Sequence, residues 1–161
     1  MDRKKISIIL LAIFVITLAF TAANALLGDS NTSQNQTGTI QITDSATNKT
    51  KTVHYEKSGE CLRVIDGDTI WVYGVGNVRL VQVDAPEKNQ AGFSEAKKFV
   101  EDSCLSKTVY LDIDDREPKD DYDRALAIVY ADGKNINREL LNKGLAKELY
   151  IPPSEFEKGQ I

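Results

Sequence analysis

Hydrophobic and polar positions divide the chain into three stretches. Residues 6–28 carry no charge, and their most apolar part runs from Ile8 to Phe20. Residues 29–58 are rich in Ser, Thr, Asn and Gln, with few large apolar side chains. From Gly59 onward the apolar positions recur with periods that predict regular elements. Residues 61–65 alternate as a strand, Asp66-Gly67-Asp68 carries the Asp-Gly turn signal, and residues 69–73 return. A second turn at 74–77 leads into a strand over 78–83, which Pro86 stops because proline offers no N–H to a sheet ladder. These three strands predict an antiparallel meander. Ala96, Phe99 and Val100 share one face of a helix over 94–101, with Ser94 as its cap. A fourth strand is predicted over 107–113 and a fifth over 125–130. Asn137 is placed to cap a short helix, 138–143, that Gly144 ends.

The first two stretches are expected to lie outside the folded unit. A basic start, Arg3-Lys4-Lys5, ahead of an apolar run is the pattern of an export signal, and Ala23-Asn24-Ala25 has the small-x-small form of a cleavage site. The uncharged run also approaches the ~20 residues that span a bilayer. Residues 1–27 are therefore expected to be a cleaved signal or a membrane anchor, tethered through residues 6–27. Either reading makes the remainder extracellular: secreted, or held at the outer face of the cytoplasmic membrane. Residues 28–58 are expected to be a flexible linker, because so polar a composition buries too little apolar surface to offset its ordering entropy. His54, the only histidine, sits at the edge of this linker with no Cys or second His nearby in sequence, which disfavours a ligand role.

Residues 59–161 remain, enough for one small core. They hold 14 Lys/Arg against 20 Asp/Glu, a net charge of −6. That balance argues against broad sequence-independent nucleic-acid binding, which needs a basic surface. It is compatible with a local focus of arginines beside a bound cation. Cys61 and Cys104 are the only cysteines. In an exported domain an even pair reads as a disulfide, which in the chain-entropy model would contribute ~4 kcal/mol. The acidic stretch 112–123 is expected to be a solvated loop.

The candidate chemistry is concentrated in Val78-Arg79-Leu80-Val81-Gln82-Val83-Asp84-Ala85-Pro86-Glu87. Asp84 offers a hard oxygen ligand, Glu87 a base for water, and Arg79 a planar fork matched to phosphate oxygens. Together they suggest metal-assisted attack on a phosphodiester. Arg79 and Asp84 are five residues apart, so a flat strand points them to opposite faces; twist, a bulge or the strand's end must bring them together. A hairpin turn beside the end of the third strand would also bring Asp68 near Asp84.

Val64-Ile65-Asp66-Gly67-Asp68-Thr69-Ile70, the block just quoted, and Asp121-Tyr122-Asp123-Arg124-Ala125-Leu126-Ala127 resemble, in order and spacing, the signature blocks of the staphylococcal (thermonuclease) nuclease family. The resemblance covers residues 61–150. It implies a mainly β, α+β fold: an OB-type five-stranded barrel with packed helices. It also implies calcium-dependent cleavage of DNA and RNA that leaves 3′-phosphate ends. By that resemblance Asp68, Asp84 and the carbonyl of Ala85 would bind Ca2+, Arg79 and Arg124 would hold phosphate, and Glu87 would be the general base. Tyr122 and Tyr150 match tyrosines near the bound nucleotide. Ala85 stands where the family's best-known member has threonine, and Asp123 where the family usually has glycine. Single-stranded DNA and RNA are the expected substrates, with no protein partner and a monomeric state. The rival readings are a non-catalytic OB module for nucleic acid or oligosaccharide, and an extracellular calcium-binding structural domain.

Overall fold

The structure is a computed structural model and describes residues 37–161. In chain order the strands are β1 (Gly38–Thr43), β2 (Thr50–Tyr55), β3 (Lys57–Val64), β4 (Thr69–Val72), β5 (Gly76–Leu80), β6 (Gln82–Asp84), β7 (Thr108–Ile113), β8 (Ala125–Ala131), β9 (Lys134–Asn135) and β10 (Lys147–Leu149). Helix α1 (Phe93–Cys104) lies between β6 and β7, and α2 (Ile136–Asn142) follows β9. Strands pair in the order β5-β4-β3-β7-β8, and a parallel pairing of Val78–Leu80 with Ala125–Ala127 closes the ring. The result is the expected five-stranded OB-type barrel with helices packed against it. Closure removes the exposed edges that an open sheet would present. The core is aliphatic, with Ile70, Val72, Val78, Leu80, Val109, Leu111 and Val129 all fully buried.

The strand expected over 78–83 is broken. β5 ends at Leu80, and Gln82, the first residue of β6, takes a positive φ of 58°. The break is clamped by Asn137, whose side chain is fully buried. Its amide nitrogen donates to the Val81 and Ala127 carbonyls at 2.8 and 3.2 Å, and its oxygen accepts from the Val129 N–H at 2.9 Å. Asn137 is therefore a strap across the barrel and not the expected helix cap. Asn135 caps α2 instead, accepting from the Arg138 N–H. At α1 the expected Ser94 cap is likewise displaced, to Gly92 in the left-handed region with no side-chain cap bond.

The linker expectation for residues 28–58 does not hold over its described part. β1 and β2 form an antiparallel hairpin, and Ile42 is buried in the core. Asp44 pairs with Arg138 at 2.7 Å, Ser45 bonds Glu139, and the Thr43 N–H donates to the Gly133 carbonyl, so the hairpin is docked on α2 and the β8–β9 turn. Composition hid this, because Ile40, Ile42, Val53 and Tyr55 alternate among polar residues whose content resembles a linker. The signal-or-anchor expectation for residues 1–27 lies outside the described residues. Among the described residues no helix is long and apolar enough to cross a membrane.

The expected Cys61–Cys104 disulfide is not formed: both thiols are free and buried. They are near neighbours, since Cys61 contributes to raising the Cys104 thiol. Burial is the main cause for both, pushing Cys61 up to about 11 and Cys104 up to about 12. Two outcomes follow. Alkylation of the native protein at neutral pH should be slow and should become fast on unfolding. Stability should be full below pH ~9 and decline above it by up to ~1.4 kcal/mol per pH unit per thiol, because the unfolded chain loses these protons first. Urea titrations of the wild type and of Cys61→Ala/Cys104→Ala across pH 8–11 would show whether the decline belongs to these thiols.

Candidate active site

The site begins with a close approach of backbone. A Cβ placed on Gly67 would lie 2.7 Å from the Cβ atoms of both Ala85 and Ala96, so only glycine lets the β3–β4 turn sit against the end of β6 and against α1. This contact brings Asp68 to the strand end. Asp68 is 7% exposed; one carboxylate oxygen pairs with Arg79 Nη1 at 2.8 Å, and the other accepts the Ala85 N–H at 2.8 Å. Asp66 serves the turn itself, accepting the Asp68 N–H. Burial pushes the Asp68 carboxyl up to about 6, although Arg79 and the Ala85 N–H both favour its charged form.

Arg79 lies at the end of β5, opposite Thr69 of β4. It uses Nη1 for both Asp68 and the Leu80 carbonyl, so among the described contacts its other guanidinium nitrogens remain for a ligand. Arg124 enters from the loop before β8. Asp120 Oδ2 accepts from its Nε and Nη2, both at 2.7 Å, while Asp120 Oδ1 accepts the backbone N–H groups of Arg124 and Tyr122. Burial alone would raise the Asp120 carboxyl, but these bonds from Arg124 and Tyr122 hold it below the usual range. Thr69 links the two arginine centres: its hydroxyl donates to Asp68 at 3.2 Å and accepts from Arg124 Nη1 at 3.4 Å. Neither Asp120 nor Thr69 was singled out in the sequence. Neither left a signal: a four-residue spacing brings side chains together on a helix, and residues 120–124 form a loop.

Asp123 stands where the resemblance implies glycine, and its backbone keeps the conformation that glycine favours. Its φ is +61°, the region glycine adopts most readily, which aspartate tolerates better than most residues. Its carboxylate pairs with Lys119 at 2.5 Å, while Asp120 takes the Arg124 guanidinium. The solvated-loop expectation for 112–123 also fails in one place. Asp114 is 1% exposed and accepts from the Arg116, Glu117 and Glu155 N–H groups and from the Ser154 hydroxyl, tying this loop to the C-terminal segment.

Arg79, Gln82, Asp120, Tyr122, Arg124 and Tyr150 line one cavity of about 280 Å³. Tyr122 is 81% exposed, and the Arg124 guanidinium lies 5.4 Å from its ring centroid. Gln82 is buried behind this cavity. Its amide nitrogen donates to the Phe156 and Glu157 carbonyls, which holds the C-terminal segment against the site. Asp84 and Ala85 instead border a neighbouring hollow with Pro86, Gln90 and Lys147. Asp68 bonds one lining residue of each hollow, Arg79 of the first and Ala85 of the second. Glu87 is exposed in a short turn where its N–H donates to the Gln90 side chain and its carbonyl accepts the Gln90 N–H. The structure thus joins Arg79, Arg124, Tyr122 and Tyr150 around one cleft, with Asp68 buried against Arg79. Asp84 is exposed at the second hollow, Glu87 is exposed in the turn that follows, and Ala85 is buried between them in the chain.

Asp68, Asp84 and the Ala85 carbonyl make an all-oxygen donor set, which suits a hard divalent cation. A buried carboxylate resisting ionisation is also the kind of group that a nearby cation stabilises.

Comparison with known proteins agrees with the fold. The family model described as Staphylococcal nuclease homologue matches residues 77–160, just over half of the chain. An uncharacterized endonuclease of Haemophilus influenzae is 42% identical over 89 residues, covering 53% of this chain and 48% of that protein. The thermonuclease of Staphylococcus intermedius is 37% identical over 102 residues, 58% of this chain and 60% of that protein. The chain therefore spans about half to three fifths of the length of these two relatives. Endonuclease YncB of Bacillus subtilis is 33% identical over 172 residues, 92% of this chain and 80% of that protein. With the closed barrel and the ordered signature blocks, these matches establish that the chain belongs to the staphylococcal nuclease family.

Proposed function

We propose that the protein is a calcium-dependent nuclease that hydrolyses phosphodiester bonds in single-stranded DNA and RNA, leaving 3′-phosphate ends. The observation that carries this reading is the convergence of Arg79 and Arg124 on one cleft beside the buried Asp68, linked through Thr69. Asp68, Asp84 and the Ala85 carbonyl are the residues that would hold Ca2+. A bound Ca2+ would supply charge neutralisation at the scissile phosphate. The arginines donate to its non-bridging oxygens, and their charge matches the charge that grows on these oxygens as the nucleophile adds. Glu87, exposed to solvent in its turn, accepts the proton of the attacking water. Tyr122 and Tyr150 present aromatic faces on which bases of any sequence can stack. Asp120 and Thr69 bond the Arg124 side chain and position it.

Export belongs to the same reading and rests on the basic start and the uncharged run of residues 6–28. Activity recovered only from the cytoplasmic fraction of producing cells would overturn that part.

The test of function is cleavage of denatured DNA and of RNA by the full chain with Ca2+. Cleavage should disappear with a chelator and return when Ca2+ is restored. Binding of the same substrates without metal-dependent cleavage from neutral to alkaline pH would favour the non-catalytic OB module.

A further inference from the structure

On the β2–β3–β7 side of the barrel, a second set of metal-ligating side chains converges without Asp68, Asp84, Arg79 or Arg124. His54 near the end of β2, Glu56 at the β2–β3 junction and Asp112 in β7 each offer a ligand atom, and these atoms lie within 4.8 Å of one another. His54 and Glu56 are two apart in extended chain, so their side chains fall on the same face. His54 Nδ1 is 2.7 Å from Glu56 Oε1.

The outer contacts of the set are also in place. The second Glu56 oxygen accepts the Ile113 N–H at 2.7 Å, and Asp112 Oδ2 is 3.4 Å from the Tyr130 hydroxyl. Carboxylates that bind metals are characteristically fixed in this way by partners behind them. No Lys or Arg forms an ion pair with Glu56 or Asp112 among the described residues. Two carboxylates are thus brought together with only an imidazole to offset them.

We propose that His54, Glu56 and Asp112 bind a borderline first-row divalent cation of the Zn2+ class, in a structural site separate from the all-oxygen cleft. One imidazole nitrogen with two carboxylate oxygens is a donor set for Zn2+ rather than for Ca2+ or Mg2+, which take oxygen alone. Zn–N and Zn–O bonds of ~2.0–2.2 Å require ligand atoms ~3.4 Å apart in a tetrahedron. Opening the 2.7 Å His54–Glu56 contact by less than ~1 Å, with Asp112 closing from within 4.8 Å by up to ~1.4 Å, would meet that requirement through side-chain rotation. Water would complete the coordination. The ion would join the end of the N-terminal hairpin to β7, reinforcing the edge contact between the Tyr55 and Tyr110 rings, whose centroids are 4.8 Å apart. Its role is to fasten the hairpin to the barrel, not to act on substrate.

The chain has a single histidine, which gives the test its specificity. Zn2+ is titrated into the full chain in excess Ca2+, following the one set of imidazole proton signals by NMR and the melting temperature alongside. One equivalent of Zn2+ should shift the imidazole signals and raise the melting temperature above its value in Ca2+ alone, while Ca2+ or Mg2+ should leave the imidazole signals where they are. His54→Gln should weaken Zn2+ by more than the ~10–100-fold typical of losing an outer partner, and Asp112→Asn should do the same in a chain that keeps its histidine. Imidazole signals unmoved by Zn2+, or Zn2+ affinity unchanged in His54→Gln, would overturn the proposal. Nuclease activity is not part of the readout, so the outcome does not depend on the function of the cleft.

Discussion

Glu87→Gln should reduce the turnover of denatured DNA by ~10²–10⁴-fold, the range that a positioned general base contributes. Glutamine keeps the size and the hydrogen-bonding capacity of the side chain but cannot take a proton from water. Stability should hardly change. Glu87 is exposed, and the turn that carries it is fixed through the backbone N–H and carbonyl of Glu87 and the side chain of Gln90, all of which the substitution retains. Calcium affinity should also stay within a small factor, since the residues assigned to the ion are Asp68, Asp84 and Ala85. The measurement is kcat and KM for DNA and for RNA, with Ca2+ binding followed in parallel. A fall in kcat at unchanged Ca2+ affinity supports the role as base. Wild-type turnover in this variant removes Glu87 from the mechanism. A joint loss of calcium binding and activity would make it a ligand instead.

Asn137→Ala should destabilise the domain by about 3–5 kcal/mol, a large share of the ~5–15 kcal/mol typical of a whole fold. Alanine removes three hydrogen bonds at a fully buried position. The Val129 N–H and the Val81 carbonyl lose a partner in a region closed to water, and each such orphan costs about 1–3 kcal/mol. The Ala127 carbonyl suffers less because it also accepts the Val81 N–H at 3.0 Å. The consequence reaches the site, because Asn137 holds the chain where β5 gives way to β6. Arg79 lies just before that break and Asp84 just after it. Denaturant titration should show the loss of stability, and the surviving folded fraction should show a raised KM as Arg79 and Asp84 lose their common frame. A loss under about 1 kcal/mol would mean that the break holds itself.

The exposed acidic surface and the buried arginine–carboxylate contacts of the cleft have different weights. The i, i+4 pairs Lys98–Asp102 and Lys119–Asp123 are solvent-exposed and contribute little to stability. The Arg79–Asp68 pair is shielded, and truncating Arg79 would leave the Asp68 charge buried with only hydrogen bonds to satisfy it. A phosphate approaching Arg79 therefore meets a guanidinium already held in place, and little reorganisation is needed on binding.

The sequence by itself determined the elements and the chemical inventory. The period of two in residues 61–65 and 107–113, and the return over 69–73 after an Asp-Gly turn, read correctly as strands. Ala96, Phe99 and Val100 placed α1 by the corresponding helical period. The carboxylates and arginines of the three signature blocks were legible because they stand beside turn residues, where packing alone gives little reason for a charge. The hairpin of β1 and β2 was not legible, since four apolar residues scattered among Thr, Asn and Gln resemble a linker until they find a barrel to cover.

The tertiary structure decided how the inventory converges. A flat strand separates Arg79 from Asp84; the left-handed turn at Gln82 and the Asn137 strap reorient the chain between them. Asp68 reaches the cleft only because Gly67 allows contact with Ala85 and Ala96, and Thr69 meets Arg124 only because β5 and β8 close the ring in parallel. The pairing of β3 with β7 brings Asp112 to the residues at the end of β2, giving His54 neighbours that the sequence around it does not show. Periodicity is a property of neighbours along the chain and survives in the sequence; a site is a property of neighbours across it, fixed only when hydrophobic burial and strand pairing choose one register among many.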